Sequence, residues 1–146
     1  MTSSPVRQVQ VTFDCAKPWR LARFWCEVLG YELQAPPEGY ASWEEFELTL
    51  PPERRDVDAA CVDPTGVGPR LFFQRVPEGK VVKNRVHLDV RVGTGLVGDE
   101  RLAALNAEGD RLEALGASRF RLLPADEENE STLVMQDIEG NEFCLD

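Results

Sequence analysis

The chain has 146 residues, of which 42% are apolar, and a net charge of −10. This length suits one compact domain, and no apolar run approaches the roughly 20 residues that span a bilayer. The negative charge would repel nucleic-acid phosphates and anionic lipids, so we expect no nucleic acid and no membrane among the partners. The N-terminal segment lacks an apolar signal core and the four cysteines lack zinc-finger spacing, which together predict a cytoplasmic protein with reduced thiols.

The first half of the chain predicts a strand, a helix and further strands. Residues 8–14 alternate between apolar and polar side chains, which is the period of a half-buried strand. Pro18 suits the first turn of a helix, and Gly30 suits its C-terminal end because glycine readily adopts the left-handed conformation needed there. The further strands are predicted over 31–34, 43–50, 59–62 and 71–75.

The second half predicts the same order of elements. Residues 85–92 alternate and predict a strand. The side chains expected to face the core are Val86, Leu88, Val90 and Val92. After a glycine-rich loop, Asp99 is a candidate N-cap for a helix with leucines at helical spacing, which Gly109 weakens by about 1 kcal/mol relative to alanine. The last strands are predicted over 118–122, 131–135 and 141–145.

The two halves therefore read as two copies of one module. Each also has an Asp-x-x-Gly turn before its last strand, over 63–66 and 137–140. We predict one domain over 1–146, with a first module over about 6–75, a linker over 76–84 and a second module over 85–146. The fold class is α+β, in which two βαβββ modules form a curved mixed sheet with an open cup and helices outside.

Four fragments carry a resemblance to a known family. They are Val11-Thr-Phe-Asp-Cys-Ala-Lys-Pro18 with the following Phe24-Trp25 and Leu29-Gly30, then Lys83-Asn-Arg-Val-His-Leu-Asp89, Leu115-Gly-Ala117, and Asp137-Ile-Glu-Gly-Asn-Glu-Phe-Cys144. In this order they resemble the vicinal-oxygen-chelate superfamily of glyoxalase I, bleomycin-resistance and fosfomycin-resistance proteins and extradiol dioxygenases. The resemblance is closest to the glyoxalase-like branch. It implies a homodimer, and a divalent metal held in the cup by two side chains from each module, where the metal binds neighbouring oxygens of a substrate.

The resemblance places the metal ligands at Gln10, Gln74, His87 and Cys144. The family pattern has His or Gln, Glu, His and Glu at these positions, so both carboxylates are missing here. A neutral amide is a poor ligand for a divalent cation without an anionic partner, although Cys144 and His87 could together hold zinc. We therefore expect a degenerate site with no cofactor, and keep a divalent metal (Zn, Ni, Mn or Fe) as the alternative.

Strand alternation adds further candidates to this site. Asp89 shares a face with His87, Glu142 shares one with Cys144, and Thr12 shares one with Gln10. The carboxylates of Asp89 and Glu142 could act as displaced ligands or as general bases, or they could be rim residues bound to water or arginine.

The remaining site candidates are the single histidine and two aromatic residues. His87 is a candidate for proton transfer as well as for metal binding, against the alternative of a histidine satisfied within the sheet. Trp43 and Phe72 are candidate ligand contacts, against the alternative of core packing.

Three functions remain open. The leading prediction is a glyoxalase-like protein that binds a small organic ligand in the cup beside a degenerate metal site. The first alternative is a metal-dependent lyase, isomerase or dioxygenase of the glyoxalase kind. The second is a metal-free acid–base enzyme that uses His87 with Asp89 or Glu142. The acidic composition favours a cationic ligand, but the sequence does not identify the ligand or the reaction.

Overall fold

The computed structural model describes residues 4–146, so the first three positions of the N-terminal segment discussed above lie outside it. The chain divides into two compact units, one through Gly79 and one from Lys80 to Asp146. Each unit contains one of the predicted modules. Among the described residues, no helix has both the length and the apolar character needed to cross a bilayer.

The first unit contains one four-stranded sheet and two α-helices. Its elements are β1 (Val11–Cys15), α1 (Pro18–Leu29), β2 (Glu32–Leu33), α2 (Trp43–Glu47), a short 3-10 helix (Pro52–Arg54), β3 (Asp58–Val62) and β4 (Leu71–Arg75). The strand order is β1-β4-β3-β2, with β1 parallel to β4 and the other pairs antiparallel. Helix α1 packs against β3 and β4, so one face of this sheet is covered and the other is free of α1.

Helix α1 matches the sequence prediction at both ends. Pro18 occupies its first turn, and Gly30 ends it in the left-handed conformation at φ 69°. Its apolar face carries Trp25, which is fully buried, and the Trp25 ring lies 5.3 Å from that of Phe13 on β1. Phe13 in turn stacks on Phe73 of β4 at 5.2 Å. This aromatic column fixes the helix against the sheet and defines the core of the first unit.

The predicted strand over 43–50 is wrong, because its first residues form helix α2. The Ser42 side chain accepts a hydrogen bond from the backbone N–H of Glu45 at 3.1 Å, and the Glu45 carboxylate accepts one from the N–H of Ala41 at 2.9 Å. This exchange is close to a capping box and satisfies backbone donors that a helix start leaves unpaired. The aromatic residues in this segment favour a strand, but the cap determines the local structure.

The second unit repeats this topology. Its elements are β5 (Asp89–Val90), α3 (Gly98–Ala114), β6 (Ser118–Leu123), β7 (Thr132–Gln136) and β8 (Glu142–Leu145). The strand order is β5-β8-β7-β6, with β5 parallel to β8 and the other pairs antiparallel. Helix α3 packs on this sheet, and its core residues Leu105 and Leu112 are fully buried. Phe143 and Leu145 of β8 are also buried, so Glu142 and Cys144 alternate onto the other face.

Two predictions at the start of the second unit are wrong. The strand over 85–92 is reduced to two residues, and Val86 is 81% exposed instead of facing the core. Asp99 is not the N-cap, because α3 already begins at Gly98 and Val97 occupies the cap position without a side-chain hydrogen bond.

Gly109, which weakens the predicted helix, has a packing role in α3. It is buried, and a side chain there would meet the guanidinium of Arg119 at 2.9 Å. Arg119 of β6 uses the space that glycine leaves to donate hydrogen bonds to Asn106, Asp110 and Glu113 of the helix.

The α+β class and the two βαβββ modules are confirmed. The strands hydrogen-bond within their own module, so the structure has two four-stranded mixed sheets. The grouping of both modules into one domain stays a prediction.

A candidate site on the second sheet

Three of the predicted site residues lie together on the second sheet. Strands β5 and β8 are parallel, and their register places Asp89 directly beside Cys144. His87 precedes Asp89 by two residues, so its side chain lies on the same face of the sheet. Both strands present these side chains on the face opposite the buried Phe143 and Leu145.

The distances within this group are short. Nδ1 of His87 lies 3.1 Å from Oδ1 of Asp89 and 3.9 Å from Sγ of Cys144. One donor atom from each of the three residues fits within 4.8 Å of the other two. The His87 and Asp89 side chains are 40% and 44% exposed, whereas Cys144 is 7% exposed. The group therefore lies at the surface with its sulfur at the bottom, and we refer to these three residues as the donor cluster.

The thiol of Cys144 is neutral at physiological pH. Burial raises its pKa, and the nearby carboxylate of Asp89 raises it further, to about 11. A thiol with this pKa is a weak nucleophile at pH 7. A metal cation bound by Cys144 would favour the thiolate over the neutral thiol, because a coordinating thiol is deprotonated.

Glu142 lines the same face but is engaged elsewhere. Its carboxylate is 6% exposed and accepts hydrogen bonds from Lys80 Nζ at 3.0 Å and from the backbone N–H of Asn84 at 3.0 Å. Burial raises the pKa of Glu142, but these two partners outweigh it and lower the pKa to about 2. A carboxylate with such a low pKa is a poor general base, so this arrangement favours a role for Glu142 in holding the 80–84 segment.

The candidate residues of the first module hydrogen-bond to their own neighbours. Gln74 donates to Oδ1 of Asp14 at 2.7 Å. Gln10 accepts from Arg70 at 2.7 Å and donates to the hydroxyl of Thr12 at 3.4 Å. The structure thus places Gln74 in one exposed hydrogen-bonded pair with Asp14, and Gln10 and Thr12 in a separate exposed group with Arg70.

The two modules carry equivalent cross-strand pairs. In the first, Asp14 of β1 lies opposite Gln74 of β4; in the second, Asp89 of β5 lies opposite Cys144 of β8. The family resemblance already places Gln74 and Cys144 at equivalent positions, because its pattern has Glu at both. The register therefore adds that Asp14 and Asp89 are equivalent as well.

The family resemblance pairs Gln10 of the first module with His87 of the second, and the strand register changes this correspondence. His87 precedes Asp89 by two residues, and the residue that precedes Asp14 by two is Thr12. Thr12, rather than Gln10, is thus the counterpart of His87. The difference arises because aligning the modules by sequence alone does not use the pairing of each first strand with its last strand.

The two aromatic candidates belong to the first unit. The indole N–H of Trp43 donates to the carbonyl of Gln34 at 2.6 Å, and its ring lies 5.3 Å from that of Trp19. Phe72 is half-buried on β4, with the guanidinium of Arg70 5.3 Å from its ring centre. Both side chains thus have packing partners within their own unit.

A pocket of about 200 Å³ opens beside the donor cluster and includes His87, Glu142 and Cys144 in its lining. Five lining residues were not singled out from the sequence: Lys83, Phe120, Arg121, Leu123 and Val134. The pairing of β6 with β7 shifts between Arg119 and Arg121. Such an irregularity breaks the alternation of side chains, so period-two reasoning could not place Phe120 and Arg121 in one pocket. We refer to this cavity as the second-sheet pocket.

Comparison with known proteins identifies the family. The sequence profile of the glyoxalase-like domain matches residues 10–145. No protein with a curated function matches the sequence significantly.

Solved structures share the fold at low sequence identity. One is a mutant of the fosfomycin resistance protein FosX from Listeria monocytogenes in complex with Mn(II) and 1S,2S-dihydroxypropylphosphonic acid, with 12% identity, a TM-score of 0.59 and coverage of 99% of this chain and 90% of that one. A glyoxalase/bleomycin resistance protein/dioxygenase family enzyme from Burkholderia phytofirmans has 14% identity, a TM-score of 0.58 and coverage of 93% and 94%. TioX from Micromonospora has 16% identity, a TM-score of 0.52 and coverage of 96% and 97%.

At these identities the structural similarity establishes the fold, whereas the profile match over nearly the whole chain establishes the family. With its two βαβββ modules and this match, the chain belongs to the glyoxalase-like domain family of the vicinal-oxygen-chelate superfamily.

Proposed function

We propose that the protein binds a small organic ligand in the second-sheet pocket. The observation that carries the proposal is the chemistry of the lining: Phe120, Leu123 and Val134 supply apolar surface, and His87 is among the polar groups. Apolar walls with a few placed polar groups are the usual form of a ligand site. A cavity of about 200 Å³ is smaller than the roughly 300–1,000 Å³ typical of drug-sized ligands, so we propose a smaller molecule.

The charges of the lining favour a ligand with an anionic group. Lys83 and Arg121 both line the pocket, the charge of Glu142 is balanced by Lys80, and the carboxylate of Asp89 faces His87 at 3.1 Å. The net charge of −10 suggests a cationic ligand. However, charges more than about 8–10 Å away are largely screened at physiological salt, so the nearby cations have the larger effect on a bound ligand. A carboxylate or phosphonate could also accept paired hydrogen bonds from Arg121.

One structural neighbour is consistent with this ligand class. The FosX mutant holds a small phosphonic acid together with Mn(II). The fold therefore accommodates a small anionic ligand in that protein, and we propose a ligand of similar size and charge here.

The test is a panel of small carboxylates and phosphonates, read by thermal shift and calorimetry. A ligand present at 100 times its Kd should stabilise the folded protein by about 2.7 kcal/mol. Arg121→Gln and Phe120→Ala should each weaken this effect, whereas Arg23→Gln, which removes an exposed arginine of the first unit, should not. Binding that is equally strong in all three variants would place the ligand elsewhere.

Two enzymatic functions are also supported by particular contacts. The donor cluster favours a metal-dependent lyase, isomerase or dioxygenase, because it offers three metal donors beside the pocket. The 3.1 Å contact between His87 and Asp89 favours a metal-free acid–base enzyme, because a carboxylate orients the imidazole and fixes its tautomer. Turnover that survives chelation but is lost in His87→Ala would support the metal-free enzyme, and turnover lost on chelation would support the metal-dependent one.

We also propose, from the family resemblance, that the protein is a homodimer in the cytoplasm. Light scattering after size-exclusion chromatography would give the mass directly. A mass near the 16.4 kDa of one chain would contradict the dimer.

A further inference from the structure

We infer that His87, Asp89 and Cys144 form a zinc site whose sulfur donor widens its preference for Zn²⁺ over Mn²⁺. The inference concerns metal binding alone and does not require the ligand-binding function proposed above. It assigns the ligand role to Asp89, a residue outside the Gln10, Gln74, His87 and Cys144 quartet that the family resemblance implies.

The sheet itself brings the three donors together. Asp89 and Cys144 are partners in the parallel pairing of β5 with β8, so their side chains leave the sheet next to each other. His87 lies two residues before Asp89, on the same face. Because two donors are fixed by backbone pairing, the arrangement of Asp89 and Cys144 does not depend on a flexible loop.

The donor spacing is close to what zinc requires. With zinc bonds of about 2.0–2.1 Å to nitrogen and oxygen and 2.3 Å to sulfur, tetrahedral geometry separates the donor atoms by roughly 3.3–3.6 Å. The His87 and Asp89 donors are 3.1 Å apart, and the His87 and Cys144 donors are 3.9 Å apart. Side-chain rotations that shift the donor atoms by a few tenths of an ångström would therefore bring these pairs to coordination distance.

The donor types favour zinc over harder cations. A set of one imidazole, one carboxylate and one thiolate contains a soft sulfur ligand, which zinc accepts and which Mn²⁺ and Mg²⁺ disfavour relative to oxygen. The carboxylate matters for a second reason, since a bound Zn²⁺ with both Asp89 and the Cys144 thiolate is formally neutral. Replacing a family carboxylate by Cys144 while using Asp89 thus keeps two anionic donors.

The site is accessible from solvent and from the pocket. The His87 and Asp89 side chains are 40% and 44% exposed, which leaves a path for the ion, and both His87 and Cys144 line the second-sheet pocket. Three protein donors leave one position of a tetrahedral site open, as in catalytic zinc sites. When bound, zinc would supply positive charge beside the pocket that His87 and Cys144 line.

The test uses cobalt as a spectroscopic substitute for zinc in the tag-free, chelator-treated full chain. We expect one equivalent of Co²⁺ to produce a near-ultraviolet sulfur-to-cobalt band that Zn²⁺ removes by displacement. Competition titrations should give a ratio of the Mn²⁺ Kd to the Zn²⁺ Kd that is at least about tenfold larger in the wild type than in Cys144→Asp, because zinc outbinds manganese even at sites without sulfur. Cys144→Ser should abolish the band, and Asp89→Asn and His87→Ala should raise the zinc Kd by at least about tenfold, since even the loss of an outer-shell partner has that effect.

A matched control separates this site from the other cysteines. The thiols of Cys26 and Cys61 hydrogen-bond to each other and could also attract a soft metal. Cys26→Ser should leave the cobalt band and the zinc Kd unchanged. The inference is overturned if wild-type protein gives no sulfur-to-cobalt band, if the band survives Cys144→Ser, or if zinc binds equally well after Asp89→Asn.

Discussion

Replacing the buried carboxylate of Glu142 tests how the second sheet holds the segment before β5. The change is Glu142→Gln, which keeps the size of the side chain and removes its charge. In the wild-type protein the carboxylate joins Lys80 and the backbone N–H of Asn84 to β8. The amide can still accept from Asn84, but it cannot form the ion pair.

The expected magnitude follows from the pKa of Glu142. Its ordinary value of 4.5 is lowered to about 2 in the folded protein. Such a change corresponds to roughly 3 kcal/mol of stability at neutral pH. The Lys80 side chain is 26% exposed, and solvent screening of this partner reduces the contribution, so we expect on the order of 2 kcal/mol.

The sign of the pH dependence is fixed by the same values. Because the folded pKa lies below the unfolded one, the contribution is complete above about pH 4.5 and is lost as the pH falls toward 2. Urea denaturation followed by circular dichroism at pH 7, 5, 4 and 3.5 should show wild type and Glu142→Gln converging as the pH falls. Amide exchange at Asn84 should be faster in the variant at neutral pH.

Two comparisons make this prediction refutable. Glu78→Gln applies the same chemical change to an exposed glutamate and should alter stability by less than about 0.5 kcal/mol. Lys80→Gln should reproduce most of the loss seen in Glu142→Gln, and the double variant should lose little more than either single one. A stability difference between wild type and Glu142→Gln that stays constant from pH 7 to 3.5 would refute the reasoning.

Three further changes test the core packing and the helix ends of the first unit. Trp25→Ala should lower the free energy of unfolding by about 3–5 kcal/mol in guanidinium titrations, because the indole is fully buried, and Trp25→Phe should lower it less. Gly30→Ala should cost about 1–2 kcal/mol in the same titrations, since φ is 69° and no atom lies within 4 Å of the added carbon; an equal cost for Gly30→Asn would contradict a conformational origin. Ser42→Ala should cost about 1 kcal/mol and speed amide exchange at Glu45, whereas Ser42→Asp should retain protection.

The sequence predicts the ends of an element best where a single residue, such as proline or glycine, has a strong backbone preference. Pro18 and Gly30 bound α1 because proline fits a first turn and glycine fits a left-handed end. Strands β3 and β4 were also predicted within one residue. These signals are local, so they do not depend on the tertiary packing of the helices and strands.

The sequence contains a local signal for helix α2 that competes with the predicted strand. Ser42 and Glu45 have the spacing of a capping box, which favours a helix, whereas the neighbouring aromatic residues favour a strand. At β5 the alternation was real, but pairing with β8 extends over only two residues of the predicted strand. Alternation predicts which side chains share a face, not how far a strand pairs.

The candidate site was predictable only in part because strand register is a long-range property. Spacing along one strand placed His87 and Asp89 on one face, as the structure has them. Their proximity to Cys144 depends on the pairing of β5 with β8, which alternation does not determine. Likewise, the partners of Glu142 come from Lys80 and Asn84, more than fifty residues earlier, so no local pattern could indicate them.

The equivalent cross-strand pairs also give a route to engineering the first module. Asp14 already occupies the position of Asp89 beside the last strand. Grafting the two missing donors, with Thr12→His and Gln74→Cys, would give the first sheet the same three side chains at the same register. The duplicated topology thus supplies its own template, in which one copy of the module specifies the substitutions that would transfer its donor chemistry to the other.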